Sequence, residues 1–570
     1  MKHNIQKLET KLRKQFSPEI SCAAFGSSVR LEGALADWQS IVKAGRVAAK
    51  YGFKGVVNDI ALTGFSPPPM RLPQIRDAAY DNAAPDVLII GGGVIGCAIA
   101  RELSRHRLDI LLLEKESDVA MHASSRNDGM IHPGIASHPG TLRAEMNVRG
   151  NTMYTDLCRE LSVPFERWSS AILFGDAPIF PLASAVMGLR AKRLGIPIQK
   201  FSRAQIHAAE PHLSDEIVGA LDLPSTGFLS PYKLTVALAE NAIENGARIA
   251  LNTAVMGMTV KDGRIEGVQT NRGAVRPRLI INAAGVFADI VAELAGDRFF
   301  SIHPRKGECA ILDKKTGPLL QRSMGLVKAT QYFSDTKGGG LVPTIDGNIL
   351  VGPDAYEQPL REDFSTHREN MQTILAKHLA LIPALSPADV IAYFAGIRAA
   401  NYEEEFIVEA SERVGNLVHA AGIQSPGLAS APAIALRIAE LSLGILNKTQ
   451  KVLPNEHFDP IRKAPPVLAK LSVAEKQALI AKNPDYGVVV CRCESISRGE
   501  IADAVNSVLP ADSVDAVKRR VRAGMGRCQS GFCMPPVIQT ISANSGKPLT
   551  QITKSGEGSP ILFDEEVSHE

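Results

Sequence analysis

The stretch Asp86 to Glu114 constrains this chain more than any other: Asp-Val-Leu-Ile-Ile-Gly-Gly-Gly-Val-Ile-Gly, with an acid further on. Val87-Leu88-Ile89-Ile90 is short, apolar and partly β-branched, as a strand buried on both faces is. Gly91, Gly93 and Gly96 then form G-x-G-x-x-G. That spacing permits a tight turn, brings bare backbone against a pyrophosphate, and lets the next helix pack close to the strand. The helix is expected from Val94, with Ile95, Ile99 and Leu103 on one face and its first N–H groups aimed at phosphates. A second apolar run, Ile110 to Leu113, ends on Glu114. A carboxylate there can accept hydrogen bonds from a ribose diol, which favours an adenosine ribose lacking a 2′-phosphate. A glycine triplet alone would say little, but strand, glycines, helix, strand and acid in register read as a dinucleotide site.

The 570 residues leave room for three or four domains around this unit, and the 45% hydrophobic content is ordinary for a globular protein. With 63 basic and 60 acidic residues the net charge is +3, so no global field recruits nucleic acid or an anionic membrane. No apolar run is expected to approach the about 18 residues of a membrane span, and Met1 to Arg13 is charged throughout, without an apolar export core. A cytoplasmic location is therefore expected. There a disulfide framework is not, so the four cysteines crowded near the C-terminus point to a metal site.

In chain order, residues 1–62 form a separate unit reading strand, turn, helix, strand: Val29 to Trp38, a helical stretch to Tyr51, then Gly55 to Ile60. These residues resemble the BON module of bacterial osmotically inducible proteins, and a docking role is expected of them rather than a catalytic one. Asp59 reads as a cap and Trp38 as a core residue. Residues 63–84, with Pro67-Pro68-Pro69 and Pro73, read as a semi-rigid exposed linker.

The main unit spans 85–450. After Glu114 comes a polar loop, His122-Ala-Ser-Ser-Arg-Asn-Asp-Gly-Met-Ile-His132-Pro-Gly134, then a helix expected over Leu142 to Glu160. Ser124 and Ser125 can hydrogen-bond a pyrophosphate or ribityl chain without steric conflict, or simply cap a helix. Further on are a helix from Leu234 to Ala247, the run Ile249 to Val255, and a hairpin from Met258 to Thr270 turning at Asp262-Gly263. Leu279 to Asn282 reads as another buried strand, ending near Gly285 with Asp289 beyond.

Several pieces together resemble the FAD-dependent family of D-amino-acid oxidase, L-2-hydroxyglutarate dehydrogenase and the glycerol-3-phosphate dehydrogenases. They are Gly91 to Gly96, Ser124-Ser125 with Asn127 and His132, Asn282-Ala-Ala-Gly285, Pro304-Arg-Lys-Gly-Glu308, Val342 to Pro353, Phe394-Ala-Gly-Ile-Arg398, and Gly422-Ile-Gln-Ser-Pro-Gly427. The resemblance implies an α/β fold in which a Rossmann-type FAD-binding domain is interleaved with an antiparallel-sheet substrate domain. A small N-terminal α/β module and a small C-terminal Fe-S-binding domain flank it. It also implies FAD held by Gly91, Gly93, Gly96, Glu114, Ser124, Ser125, Asn127, Val255, Gly285, Gly422, Ser425 and Gly427.

After a connector, 451–485, residues 486–545 carry Cys491-Arg-Cys493 and Cys528-Gln-Ser-Gly-Phe-Cys533; residues 546–570 read as a polar tail. Four thiolates in two close pairs can hold zinc or an iron–sulfur cluster, and spacing alone does not choose. The segment resembles the bacterioferritin-associated-ferredoxin module, which implies a 2Fe-2S cluster on Cys491, Cys493, Cys528 and Cys533. Lys518, Arg519, Arg520 and Arg522 lie just before the second pair. They could raise the potential of an anionic cluster, form a solvated helix face, or dock an acidic partner.

In this family a hydride passes to flavin N5, so the protein must orient the substrate and take a hydroxyl or amine proton. Arg398 resembles the family's substrate-anion arginine, and His132 is the candidate base. The helix expected at Ser425-Pro-Gly427 would stabilise reduced flavin. Three readings stand. One is a dehydrogenase of a small anionic 2-hydroxy compound, glycerol 3-phosphate first and 2-hydroxyglutarate second, passing electrons to an acceptor protein or subunit. The second is an amine or imino-acid dehydrogenase, and the third a non-catalytic electron-transfer subunit. The expected partners include no nucleic acid, and membrane association only peripherally, through a partner.

Overall fold

The computed structural model describes residues 2–175, 177–327 and 338–563. Val87–Ile90 and Ile110–Leu113, each with every residue buried, lie at the centre of a six-stranded sheet. Its order is Arg248–Ala250, Ile110–Leu113, Val87–Ile90, Leu279–Asn282, Leu417–Ala421, Ile407–Ala410. All neighbours are parallel except the last pair. From Val87–Ile90 the chain steps first to one side and later to the other, so the crevice beyond the carboxyl ends of these strands opens at Gly91 to Gly96, where α/β sheets bind ligands.

Helices Val94–Leu103, Leu142–Glu160, Pro231–Glu244 and Gly427–Leu446 cover one face, burying Ile99, Leu103, Leu234, Leu238, Ile434 and Ile438 against Ile89 and Ile281. A meander, Val255–Lys261, Arg264–Thr270, Gly273–Val275, covers the other, packing Val268 and Val275 on Leu88, Leu111 and Ile280. Its first turn has φ of 49° at Asp262 and 71° at Gly263, the left-handed pair that Asp-Gly accommodates. One expectation fails here. Gly427–Leu446 is long and apolar enough, by length and composition, to cross a membrane. Here it is a core helix packed on Val94–Leu103 and Leu142–Glu160, with Arg437 and Glu440 paired on its exposed side.

Segments between the strands of the first sheet build a nine-stranded second sheet. It is antiparallel apart from one pair among the described residues, Ser323–Leu326 beside Ser170–Phe174. Its long strands Ile302–Leu312 and Val390–Asn401 pair along nearly their whole length, with Arg305 opposite Arg398. This is the expected Rossmann-type domain with an interleaved sheet domain.

The N-terminal unit has the expected strand, helix and strand (Ser28–Leu35, Trp38–Ala49, Val56–Leu62), preceded by a helix, Lys2–Gln15, and a strand, Ser21–Phe25. That helix buries Leu8 and Leu12 in an otherwise charged sequence, too sparse a pattern to read. Trp38 is a partly buried core residue as expected. The cap, however, is Asp37, which accepts from Ser40 N at 2.8 Å. Asp59 lies within a strand and pairs instead with Arg30 at 3.3 Å and Arg298 at 2.8 Å.

At the other end, helices Arg498–Val505, Val514–Val521 and Met534–Ser545 enclose a small core of Ile501, Val517 and Ile541. Residues 546–563, within the stretch read as a polar tail, are anchored to this core. Ile552 is fully buried in this core and Thr553 bridges Ser513, since one well-placed isoleucine can anchor a polar stretch.

Candidate functional site

Backbone closeness defines the first part of the site. Gly91 takes φ +114°, and a Cβ there would stand 2.4 Å from the Ala283 carbonyl oxygen; at Gly96 it would stand 1.9 Å from that of Gly91. Both obstacles are backbone, so only glycine lets helix and strand approach this closely. Gly93 supplies no side-chain cap to the helix Val94–Leu103. Instead Ser124 Oγ accepts from Val94 N at 2.8 Å, an oxygen standing where a phosphate oxygen would meet the helix N-terminus. Glu114 accepts from Gly92 N at 2.7 Å and Glu116 N at 2.9 Å, and burial pushes its carboxyl up from the ordinary value.

Other residues assigned to the cofactor lie around this cradle. Ser125 and Asn127 are engaged in their own loop: Ser125 Oγ donates to His122 O at 3.4 Å, Asn127 Nδ2 to Ala123 O at 2.9 Å. Val255 begins the meander, buried with Val268. Gly285, at φ +56°, has open space on its Cβ side. At Gly422, φ +63°, a Cβ would strike Asn401 Nδ2 at 2.7 Å. Ser425 O accepts from Arg143 Nη2 at 2.6 Å. Gly427 opens its helix after Pro426, which offers no side-chain cap. Two helix N-termini thus lie without a cap of their own at the same edge of the parallel sheet, and the cradle fits a dinucleotide.

The second part centres on Arg398. Gly307 makes room for it, since a Cβ there would meet Arg398 Nη2 at 2.7 Å. Nη2 donates to Asp354 O at 3.3 Å, whereas Nη1 is buried without a hydrogen-bond partner. Burial lowers the pKa of the guanidinium, against the opposing influence of Cys309, Asp128 and Asp354. An idle buried N–H costs about 1–3 kcal/mol, which an incoming anion would recover. His132 follows the strand Met130–Ile131, and its carbonyl accepts from Asn147 Nδ2 at 2.7 Å and Asn151 Nδ2 at 3.1 Å. Met130 packs with Phe228, Cys309 and Phe394, so the strand that precedes His132 and the strand that carries Arg398 border one apolar patch. Arg305, which the sequence marked only as part of a motif, is fully engaged with Glu357, Glu404 and Gln424. Its partners are far apart in sequence, and nothing local reveals them.

The cysteines form two pairs. Cys493 Sγ and Cys528 Sγ are 3.8 Å apart. Hydrogen bonds from the Cys533 thiol and the Gly524 N–H hold the Cys491 thiol below its ordinary range. Gly526 lies flush against Cys493, where a Cβ would be 2.2 Å from the cysteine Cβ. Among the described residues the only set of three or more possible ligands within 4.8 Å is Glu116, His122 and Glu362, into which Lys115 already projects. The four sulfurs are therefore not one tight tetrahedron. Zinc, with Zn–S about 2.3 Å, would need every sulfur about 3.8 Å from the others. Two separate pairs suit two irons, each taking two thiolates.

The basic run before the second pair is neither a solvated face nor a free docking patch. Arg519 and Arg520 close on buried Asp118 at 2.8 and 2.9 Å. Against burial, which raises it, these arginines hold the Asp118 carboxyl at about 2. Arg522 reaches Glu494 at 2.9 Å, Asp346 at 2.8 Å and Asn348 Oδ1 at 3.2 Å. Asp118 stands in the turn that also carries Glu114, so one short segment meets both the dinucleotide cradle and the cysteine unit. That role was missed because Asp118 sits in an ordinary polar stretch.

Residues 86–441 match the family model described as FAD dependent oxidoreductase, and residues 489–543 match the BFD-like [2Fe-2S] binding domain. The chain is 40% identical over 483 residues to the glycerol 3-phosphate dehydrogenase of Caloramator mitchellensis, covering 84% of this chain and 98% of that one. It is 25% identical over 501 residues to anaerobic glycerol-3-phosphate dehydrogenase subunit A1 of Haloferax volcanii, covering 79% and 81%. Among solved structures, L-alpha-glycerophosphate oxidase from Mycoplasma pneumoniae with FAD bound has a TM-score of 0.62 at 28% identity, covering 67% of this chain and 100% of that chain.

Proposed function

This chain belongs to the FAD dependent oxidoreductase family, and from that premise we propose that it dehydrogenates a small anionic 2-hydroxy compound, glycerol 3-phosphate first and a 2-hydroxy acid second. Bound FAD supplies the hydride acceptor, and a bound 2Fe-2S cluster the one-electron outlet. Gly91, Gly93, Gly96, Ser124 and Glu114 hold the adenosine and pyrophosphate end, and Gly285, Gly422, Ser425 and Gly427 the other. Cys491, Cys493, Cys528 and Cys533 hold the cluster. Arg398 binds the phosphate or carboxylate of the substrate and so fixes which carbon presents its C–H bond. His132 takes the hydroxyl proton as that bond breaks.

One observation carries the reading: Arg398 Nη1 is buried with no acceptor, on the strand that borders the apolar patch of Met130, two residues before His132. Such a fork suits a planar or tetrahedral oxyanion. An electron-acceptor protein or subunit is the partner this chemistry needs. Residues 1–62 form a BON-like module, a reading that rests on the parallel strands Ser28–Leu35 and Val56–Leu62 joined by one helix. A reducing, cytoplasmic location suits four crowded cysteines that hold a cluster rather than disulfides.

The test is anaerobic addition of glycerol 3-phosphate, 2-hydroxyglutarate and proline to the full chain, with flavin absorbance followed. Glycerol 3-phosphate should bleach the flavin. Arg398→Gln should lower kcat/KM by about a hundredfold, the loss of two charge-assisted hydrogen bonds, with the oxidised flavin spectrum unchanged. Bleaching by proline alone would overturn the proposal.

A further inference from the structure

Among the contacts that residues 1–62 make with the main domain, two seams converge. In the first, Arg46 Nη2 reaches Glu357 Oε1 at 2.7 Å. Buried Glu357 also accepts from His303 Nδ1 at 2.7 Å and Arg305 Nε at 2.8 Å. Arg305 donates onward to Glu404 and, at 2.9 Å, to Gln424 Oε1; Gln424 Nε2 donates back to Glu404. Gln424 stands in the middle of the turn Gly422 to Gly427. An unbroken line, Arg46, Glu357, Arg305, Gln424, thus runs from the N-terminal unit to that turn.

The second seam meets the turn Tyr402 to Glu405, which follows directly on the strand carrying Arg398. Gly45, beside Arg46, is where the Tyr402 ring seats: a Cβ there would lie 2.3 Å from it. The Tyr402 hydroxyl accepts from Asn58 Nδ2 at 2.9 Å. Glu403 takes the backbone N–H of Val56, and Glu404 is the residue that binds Arg305 and Gln424. One helical turn, Gly45-Arg46, therefore serves both seams, and both lead to Arg305.

We propose that Arg46 is a positioning residue for the active site, through which residues 1–62 set the Arg305–Gln424 pair and with it the turn Gly422 to Gly427. The inference rests on the reading that this turn holds the flavin. Removing the Arg46 charge leaves Glu357 with two donors instead of three and frees Arg305 to follow either acid. The consequence falls on the turn rather than on global stability, because Arg46 itself is partly exposed.

The experiment uses the full chain, stripped of flavin and titrated with FAD, comparing wild type with Arg46→Gln and Arg46→Lys. Flavin fluorescence, the bound flavin absorbance spectrum and the thermal midpoint are read together. Arg46→Gln should weaken FAD binding about tenfold and shift the bound spectrum, with Arg46→Lys within about threefold of wild type. Wild-type affinity and spectrum in Arg46→Gln would overturn the proposal. So would equal losses in both variants accompanied by a matching fall in thermal midpoint, which is what a merely structural residue would give. No substrate enters the titration, so a failed substrate panel leaves this result interpretable.

Discussion

Glu403 sits at the seam of the N-terminal unit with its Oε1 buried and unpartnered. Burial raises its carboxyl from the ordinary 4.5 to about 7, against hydrogen bonds from backbone N–H groups that lower it. The native state thus binds a proton more tightly than the unfolded chain. The stabilisation is complete below pH 4.5 and is lost as pH rises through about 7. Glu403→Gln should therefore raise the melting temperature above pH 8 and flatten its decline between about pH 5 and 8, an effect on the order of 2–3 kcal/mol. Melting curves across that range check it, and parallel curves for wild type and variant would count against it. At this scale the sequence revealed residues whose chemistry is local. Gly91, Gly96 and Glu114 could be singled out as candidates because spacing alone places them, and Arg398 because a motif surrounds it. Arg305, Asp118 and Glu403 could not, because their partners come from remote segments that only the folded chain brings near.

Elements were legible where their periodicity was strong. Val87–Ile90, Val94–Leu103, Leu142–Glu160 and the hairpin at Asp262-Gly263 fall where the pattern places them. The helix Lys2–Gln15 and the anchored stretch around Ile552 did not show, since each buries only one or two apolar side chains. Gly427–Leu446 was read correctly as a helix start but not as a membrane-length apolar helix, because its alanines bury it among other helices rather than in lipid. The glycine-to-helix junction gives the sharpest element-level prediction. In Gly96→Ala the new Cβ meets Gly91 O, and neither strand nor helix can yield cheaply. The variant should fold with its cluster unit intact but purify without flavin, as visible absorbance would show. Full flavin content would contradict the close-approach argument.

Across the whole molecule, the cysteine unit is fastened to the flavin domain by buried charge rather than by a flexible tether. Asp118→Asn would leave Arg519 and Arg520 side by side without their carboxylate, at a cost of about 3–5 kcal/mol. Limited proteolysis should then release a fragment beginning within the connector 451–485, which wild type resists; equal resistance would mean the bridge does not hold the units together. A fixed arrangement matters because substrate oxidation and electron exit share a single chain, with the short segment Glu114 to Asp118 between them. The most direct test is an anaerobic single turnover: full chain mixed with glycerol 3-phosphate, frozen at intervals, and read by flavin absorbance and by electron paramagnetic resonance of the cluster. Flavin bleaching should be followed by the signal of a reduced 2Fe-2S cluster, with both absent in Arg398→Gln on the same timescale. A flavin that glycerol 3-phosphate leaves oxidised, or a cluster that stays oxidised beside reduced flavin, would contradict this electron path.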